Sequence, residues 1–268
     1  MSIPPDRAAD LELARHTALE AGEAILPYFR HPAEVRYKSP DQPVTEADLV
    51  ADRIVRERLT SARPDYGWLS EESAASPDRL ARERVWMVDP IDGTRSFIEG
   101  RAEFAISIGL AEAGRPVLGV LCNPATGDVY HAVAGGGAFR NGTPIRVTRA
   151  DPVRVTVLAS RSEIARGDFD RVPSGWRVEP LGSTTWKMAR VADGTGDLFV
   201  SRGPKSEWDL CAAALLVEEA GGVVTDLAGG ALHFNQRDPS VHGTIAAAEE
   251  LHRAVLAWLE TAAPRSEP

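Results

Sequence analysis

Trp86-Met87-Val88-Asp89-Pro90-Ile91-Asp92-Gly93-Thr94 is the stretch on which the reading of this chain turns. An apolar run ends abruptly in two carboxylates three positions apart, followed by a glycine and a hydroxyl. Taken alone it is a strand running into a Pro-Ile-Asp-Gly turn whose aspartates cap the next helix. Strand ends are also where functional side chains collect, and a plain turn leaves the other acidic clusters of the chain unexplained.

Two chemistries compete for Asp-x-Asp-Gly-Thr after a strand. The first is the phosphoaspartate signature of the haloacid dehalogenase phosphatases, which needs a nucleophile. In this chain the position two before Asp92 is Pro90, which cannot attack phosphorus, and Asp89 is one residue out of register. The second gathers hard oxygen ligands around a divalent metal, and the sequence supplies Glu71 in LSEES, Asp89, Asp92, and Asp209 in SEWDLCAAALLVEEAGG. Four carboxylates suit magnesium. His16, His31, His131, His233, His242 and His252 are scattered, without zinc-like spacing, and each reads as a surface or core residue.

Working outward, 268 residues bury a full core as one large domain or two smaller ones packed together, and 43% hydrophobic with 26% charged residues is an ordinary globular balance. A net charge of −9 disfavours a nucleic-acid polymer as partner. Small phosphate esters stay open, but an acidic protein that handles them needs a cation in between. Cys122 and Cys211 lie in apolar runs, as buried free thiols of a reducing compartment do. The N-terminal stretch is charged throughout and no segment approaches ~20 apolar residues, so a cytoplasmic protein without integral membrane insertion is expected.

Leu11, Ala14, Ala18, Ala21 and Ile25 recur at helical spacing and the pattern breaks near Pro27. Thr45-Glu46-Ala47-Asp48 announces a second helix that stops before Pro64. From residue 84 the pattern is of strands, RVWMVD (84–89), FAISIGLA (104–111), PVLGVLCN (116–123) and DVYHAVA (128–134), with spacers short enough for an antiparallel sheet. Glycines 135–137 are followed by no helix and read as a hairpin turn. After Asp151-Pro152 strands (VTVLAS, DLFVS, GGVVTD, GTIAAA) alternate with helices around Lys187–Val191, Asp209–Ala220 and a final one to Leu259. The expected division is an α+β half, 1–150, binding metal and phosphate, and an α/β half, 151–268, contributing Asp209 and substrate contacts.

VTEAD, LSEES, VDPIDGTRSFIEG and EWDLCAAALLVEEAGG, in this order and at these separations, resemble the four signatures of the inositol monophosphatase superfamily of magnesium-dependent, lithium-sensitive phosphatases. The resemblance spans roughly residues 10–255 and implies a layered αβαβα sugar-phosphatase-like fold, two or three Mg²⁺ ions, and a homodimer as a possible assembly. Carried over by residue, it implies that Glu71, Asp89 and the Ile91 carbonyl hold the first metal and Asp89, Asp92 and Asp209 the second. Gly93 and Thr94 would meet the phosphate at a helix start, where backbone amides favour anions. Thr94 and Asp48 would orient the attacking water, although Thr45-x-x-Asp48 is also a capping box in its own right. Trp208 reads as packing that positions Asp209, and Glu72 as a supporting or solvated carboxylate. Ionised ligands and an activated water imply a neutral-to-alkaline pH optimum.

The leaving group is read from the second half. Inositol-specific relatives carry a carboxylate seven residues before the WD aspartate, and this chain has Arg202 there. With Lys187 and Lys205 it suits a second phosphate better than a neutral polyol. LGSTTWK, LASRSE and Gly203-Pro204 resemble the 3'(2'),5'-bisphosphate nucleotidase branch, acting on 3'-phosphoadenosine 5'-phosphate. Phe97-Ile98-Glu99-Gly100 with Glu103-Phe104 resembles histidinol-phosphatases, inositol-1-monophosphatase also stays open, and the plain alternative for the basic residues is solvation of the surface. The non-enzyme alternative is a silent phosphate-binding or scaffold protein, against which stand the intact Asp48, Glu71, Asp89, Asp92, Thr94 and Asp209.

Overall fold

The computed structural model describes residues 4–29, 34–39, 42–149 and 151–262, with side chains described to 260. His31, the boundary residue 150 and the tail after 262 lie outside them. Helix α1 (Pro5–Ile25) buries the stripe Leu11, Ala14, Ala18, Ala21 and Ile25 and gives way to a single 3-10 turn at Pro27. A short antiparallel hairpin, β1 (Arg36–Ser39) and β2 (Gln42–Val44), leads to α2 (Glu46–Ala62), which buries Ala47, Ala51, Val55 and Leu59.

Strands β3 (Gly67–Ser70), β4 (Arg84–Asp92), β5 (Ala105–Glu112), β6 (Arg115–Asn123), β7 (Asp128–Val133), β8 (Gly137–Arg140) and β9 (Thr143–Pro144) form a seven-stranded sheet in sequence order, with the short helix α3 (Thr94–Ile98) between β4 and β5. The expected antiparallel pairing holds from β4 onward, and Gly135 and Gly136 do lie in the β7–β8 turn, with Gly137 opening β8 opposite Val133. The exception is β3, which pairs parallel with β4 at the sheet edge.

Beyond Asp151 come β10 (Thr156–Ala159), α4 (Arg161–Ala165), β11 (Arg177–Pro180), α5 (Thr184–Ala192), β12 (Leu198–Ser206), α6 (Glu207–Glu219), β13 (Val223–Thr225), β14 (Ser240–Ala247) and α7 (Glu249–Ala262). Their sheet runs β11-β10-β12-β14-β13 and is mixed: β10 lies parallel to both neighbours, whereas β14 is antiparallel to β12 and β13. Strand β12 extends past the DLFVS segment through a bulge between Ser201 and Pro204, so Arg202 and Lys205 stand on a strand.

Five layers result: α1 and α2, the seven-stranded sheet, α5 and α6, the five-stranded sheet, and α7. The period-2 alternation of β5 sorts its side chains between them. Ile106, Ile108 and Leu110 face α1 and α2, while Ala105 and Ala111 face α6. Gly109 and Gly119, directly paired across β5 and β6, let α6 lie almost on the backbone. A Cβ on Gly109 would stand 2.7 Å from Cys211 Sγ, and one on Gly119 2.5 Å from the Ala212 carbonyl. The run Cys211-Ala212-Ala213-Ala214 is small for the same reason, and this contact sets where the head of α6, and so Asp209, meets the first sheet. Among the described residues no helix is long and apolar enough to cross a membrane.

Candidate active site

Asp89 and Asp92 are three positions apart on β4, so a regular strand would send them to opposite faces. The register prevents this. Asp89 pairs with Ser107 and Asp92 with Ala105, three steps on β4 against two on β5. The extra residue is a bulge, which re-aims a side chain, and both carboxylates line one cleft of about 380 Å³. Pro90, lacking an N–H, sits where the ladder is already interrupted. The chain then turns at Gly93, with φ +99° and no room for a side chain: a Cβ would lie 2.7 Å from the Glu103 carbonyl.

Three helix starts converge on this point. Asp48 is the third residue of α2, and its Oδ2 accepts from the Thr45 amide and hydroxyl, both at 2.7 Å. Asp209 is the third residue of α6, and its Oδ2 accepts from the Ser206 amide at 2.9 Å. Asp92 caps α5 from outside: its Oδ2 takes the Ser183 hydroxyl at 2.7 Å and the Thr185 amide and hydroxyl at 2.5 and 2.7 Å. Each helix N-terminus favours the negative charge set on it, and each helix-capping acid spends one oxygen on its cap. The Asp48 Oδ1 accepts from Thr94 Oγ1 at 3.0 Å, a hydroxyl also within 3.1 Å of the Ile91 carbonyl. Thr94 lines the cleft and Asp48 is buried behind it.

Glu71 continues β3, its amide reaching the Val88 carbonyl at 3.2 Å, so the parallel β3–β4 pair sets it beside Asp89. The Lys38 ammonium of β1 lies 2.6 Å from Glu71 and 2.7 Å from Glu72. Burial presses the Lys38 pKa down, but Glu71 and then Glu72 outweigh it and raise it. Burial pushes Glu72 up to about 7. Burial, reinforced chiefly by Asp92, pushes Asp209 up to about 8. Asp89 is raised well above the carboxylate range by burial and then by Glu71, Asp92 and Asp209.

This donor set fits a hard divalent cation. Asp89 Oδ1 takes the Ile91 amide at 3.0 Å, and among the described residues Asp89 Oδ2, Asp92 Oδ1 and Asp209 Oδ1 take no hydrogen bond. Asp89 and Asp92 are buried and Asp209 is half-buried, and a cation relieves the repulsion among them. Among the described residues no three acidic, histidine or cysteine side chains stand close enough to enclose an ion unaided. Magnesium suits that openness, because it keeps part of its shell for water and phosphate oxygens. A pH test follows. The Asp209 pKa is raised on folding, so its contribution to stability is present below the unfolded value and lost as pH rises through about 8. The metal-free protein should melt lower at about pH 8.5 than at about pH 6.5, and magnesium or Asp209→Asn should flatten that slope. A slope unchanged by both would contradict the reading of the site.

The far wall of the cleft carries Ser160, Arg161, Ser162, Gly182 and Ser183. Arg161 grips Glu103 through two bonds of 2.6 and 2.9 Å, and Glu103 also accepts the Gly182 amide at 2.7 Å. Arg202 and Lys205 lie outside the cleft, in an adjoining groove of about 400 Å³ with Arg166 that shares Ser160 and Ser162 with it. The Arg202 guanidinium covers the Trp258 ring at 5.2 Å. Lys187 lines neither space and is buried within α5. Trp208 packs against the central core, while Glu72 is held by Lys38. Sequence reasoning missed Lys38, and it met Glu103, Arg161, Ser183 and Thr185 only inside motifs compared with substrate branches, without a place in the site. Only the Ser-x-x-Glu box at 160–163 and the Gly-Ser before α5 signalled helix starts there.

Comparison with known proteins gives one consistent result. The profile described as the inositol monophosphatase family matches residues 6–263. An inositol-1-monophosphatase of Mesorhizobium japonicum is 36% identical over 93% of this chain and 96% of its own. A 3'(2'),5'-bisphosphate nucleotidase CysQ of Aggregatibacter actinomycetemcomitans is 32% identical over 84% and 87%. A histidinol-phosphatase of Chlorobaculum parvum is 36% identical over 82% and 86%. Among solved structures, an inositol monophosphatase from Anabaena superposes with a TM-score of 0.81 at 26% identity, covering 97% of this chain and 99% of that one.

Proposed function

The chain belongs to the inositol monophosphatase family of magnesium-dependent phosphatases, and on that premise we propose which residues do the work and on what ester. Glu71, Asp89 and the Ile91 carbonyl, with Asp92 and Asp209, hold two or three Mg²⁺ ions. Residues 1–150 and 151–268 thus meet at one site. The observation that carries the assignment is the bulge that turns Asp89 and Asp92 into a single cleft with Glu71 and Asp209. When bound, the ions neutralise phosphate oxygens and make water a competent nucleophile near neutral pH.

The protein's own part is positioning. Asp48 takes the Thr94 hydroxyl proton as hydrogen-bond acceptor, leaving the Thr94 oxygen lone pairs to accept from an attacking water and fix its line of approach. The amides of Gly93 and Thr94, at the start of α3, receive the phosphate. Ser183 and Thr185 lock Asp92 so that one oxygen always faces the cleft.

For the substrate, we propose an ester carrying a second phosphate, of the 3'-phosphoadenosine 5'-phosphate kind. Relatives with three different substrate names lie at similar identity, so identity does not choose. What supports this reading is the groove running on from the cleft past Ser160 and Ser162, where Arg166, Arg202 and Lys205 outnumber Glu163 and Asp168, the latter paired with Arg166 at 2.8 Å. A phosphate-release panel tests it: 3'-phosphoadenosine 5'-phosphate, inositol 1-phosphate, histidinol phosphate and fructose 1,6-bisphosphate, each with magnesium and with chelator. The expected result is release that stops on chelation, with kcat/KM for 3'-phosphoadenosine 5'-phosphate at least about tenfold above inositol 1-phosphate, the size of one useful charge-assisted contact. Preference for inositol 1-phosphate would refute the assignment of the groove.

A further inference from the structure

Lys187 is a buried cation that the site as described so far leaves unused. It is 2% exposed on α5, a helix sandwiched between the two sheets. Among the described residues its Nζ has one polar partner, the Leu181 carbonyl at 3.4 Å, and otherwise lies 5.7 Å from the centre of the Phe199 ring. Among the described residues no carboxylate forms an ion pair with it. A buried ammonium so thinly satisfied is costly, and burial lowers its pKa to about 8. Something further off must hold the charge there.

The acids that act on it are Asp92 first, then Glu163 and Glu103, with Lys205 opposing. Glu163 is already occupied by the Ser160 and Ser201 hydroxyls at 2.5 Å each, and Glu103 by Arg161. Glu71 has Lys38, but among the described residues Asp92, Asp89 and Asp209 have no ion-pair partner of that kind. The partner of Lys187 is also informative: Leu181 begins the turn through Gly182 to Ser183, which has φ +61° and delivers the Ser183 hydroxyl to Asp92. A non-glycine residue in that conformation persists only when its surroundings hold it.

We propose that Lys187 is a positioning residue that braces the Leu181–Ser183 turn behind Asp92 and sets the potential of the cleft floor, loosening its hold on divalent cations and tightening its hold on the phosphoryl group. The inference rests on the metal-dependent phosphatase reading above. Its signature is a pair of shifts of opposite sign. A fixed positive charge at this depth repels Mg²⁺ and attracts phosphate through the same low-dielectric protein. A residue that merely supports the fold would, on removal, weaken both.

The test uses the full chain with Lys187→Met, which removes charge and donor, and Lys187→Gln, which removes charge but keeps a donor for the Leu181 carbonyl. Mg²⁺ affinity is read by calorimetry on the metal-free protein, and inorganic phosphate affinity by competitive inhibition of the magnesium-loaded enzyme. Expected are roughly fivefold tighter Mg²⁺ and roughly fivefold weaker phosphate in both variants. Lys187→Gln should keep the wild-type thermal midpoint better than Lys187→Met. Shifts in the same direction, no shift, or failure of both variants to fold would overturn the proposal. Absence of Mg²⁺ binding and of phosphate release in the wild type would instead sink the phosphatase reading itself.

Discussion

Asp92→Asn abolishes magnesium-dependent phosphate release, with turnover down by about three orders of magnitude or more, while the protein stays folded. The reason lies in which oxygen is engaged. Three donors, the Ser183 hydroxyl and the amide and hydroxyl of Thr185, point at Oδ2. An asparagine must put its carbonyl oxygen there, because the Thr185 amide at 2.5 Å can only donate and would clash with an NH₂. Its NH₂ then occupies the place of Oδ1 in the cleft and presents hydrogens where a cation needs a lone pair. The cap on α5 survives, so the secondary structure survives. Loss of the Asp92 charge, the chief charged neighbour raising Asp209, relieves repulsion there but removes the foremost acid acting on Lys187, so the metal-free variant should melt close to the wild type. The check is phosphate release with and without chelator beside a melting curve, with exposed Glu249→Gln as surface control. Magnesium-dependent turnover within about tenfold of wild type would sink the metal assignment.

The acidic residues behind this prediction were legible in the sequence because their identities carry the chemistry: hard oxygen donors need no particular neighbour to be recognised. Their convergence was less so. Asp89 and Asp92 face one way only through a one-residue slip between β4 and β5, and a slip belongs to the pairing of two strands, which one segment does not specify. Thr45-x-x-Asp48 was readable as a cap, and Ser206-x-x-Asp209 obeys the same rule, so the shared device of helix-start acids aimed at one cleft lay within reach. Lys38 beside Glu71 and Arg161 on Glu103 were not, since the partners are 33 and 58 positions apart. The three basic residues assigned to substrate part company for a physical reason. Arg202 and Lys205 stand on the extension of β12 beside the groove. Lys187 lies on a helix covered by sheets on both sides, where periodicity cannot tell an inward face from an outward one.

Thr94→Val separates positioning from metal binding. Valine fills the volume of threonine but removes the hydroxyl that lies between Asp48 Oδ1 and the Ile91 carbonyl, at 3.0 and 3.1 Å. Glu71, Asp89, Asp92 and Asp209 keep their places, so Mg²⁺ affinity should stay within about twofold of wild type. The attacking water loses the group that aligns it and accepts its hydrogen bond, and a contribution of that kind is worth about 10²- to 10³-fold in kcat. Asp48→Asn should do nearly the same damage by a different route: the amide can turn its NH₂ toward Thr94, which then donates to the Ile91 carbonyl and accepts from the amide, and its lone pairs are no longer all open to water. Because the two side chains act as one unit, the double variant should be little worse than either single one. Independent roles would instead multiply the losses. Were Thr94→Val to keep near-wild-type kcat, or to lose only Mg²⁺ affinity, the hydroxyl would be no more than a brace for α3, and the placing of water would have to pass to another group on the cleft wall.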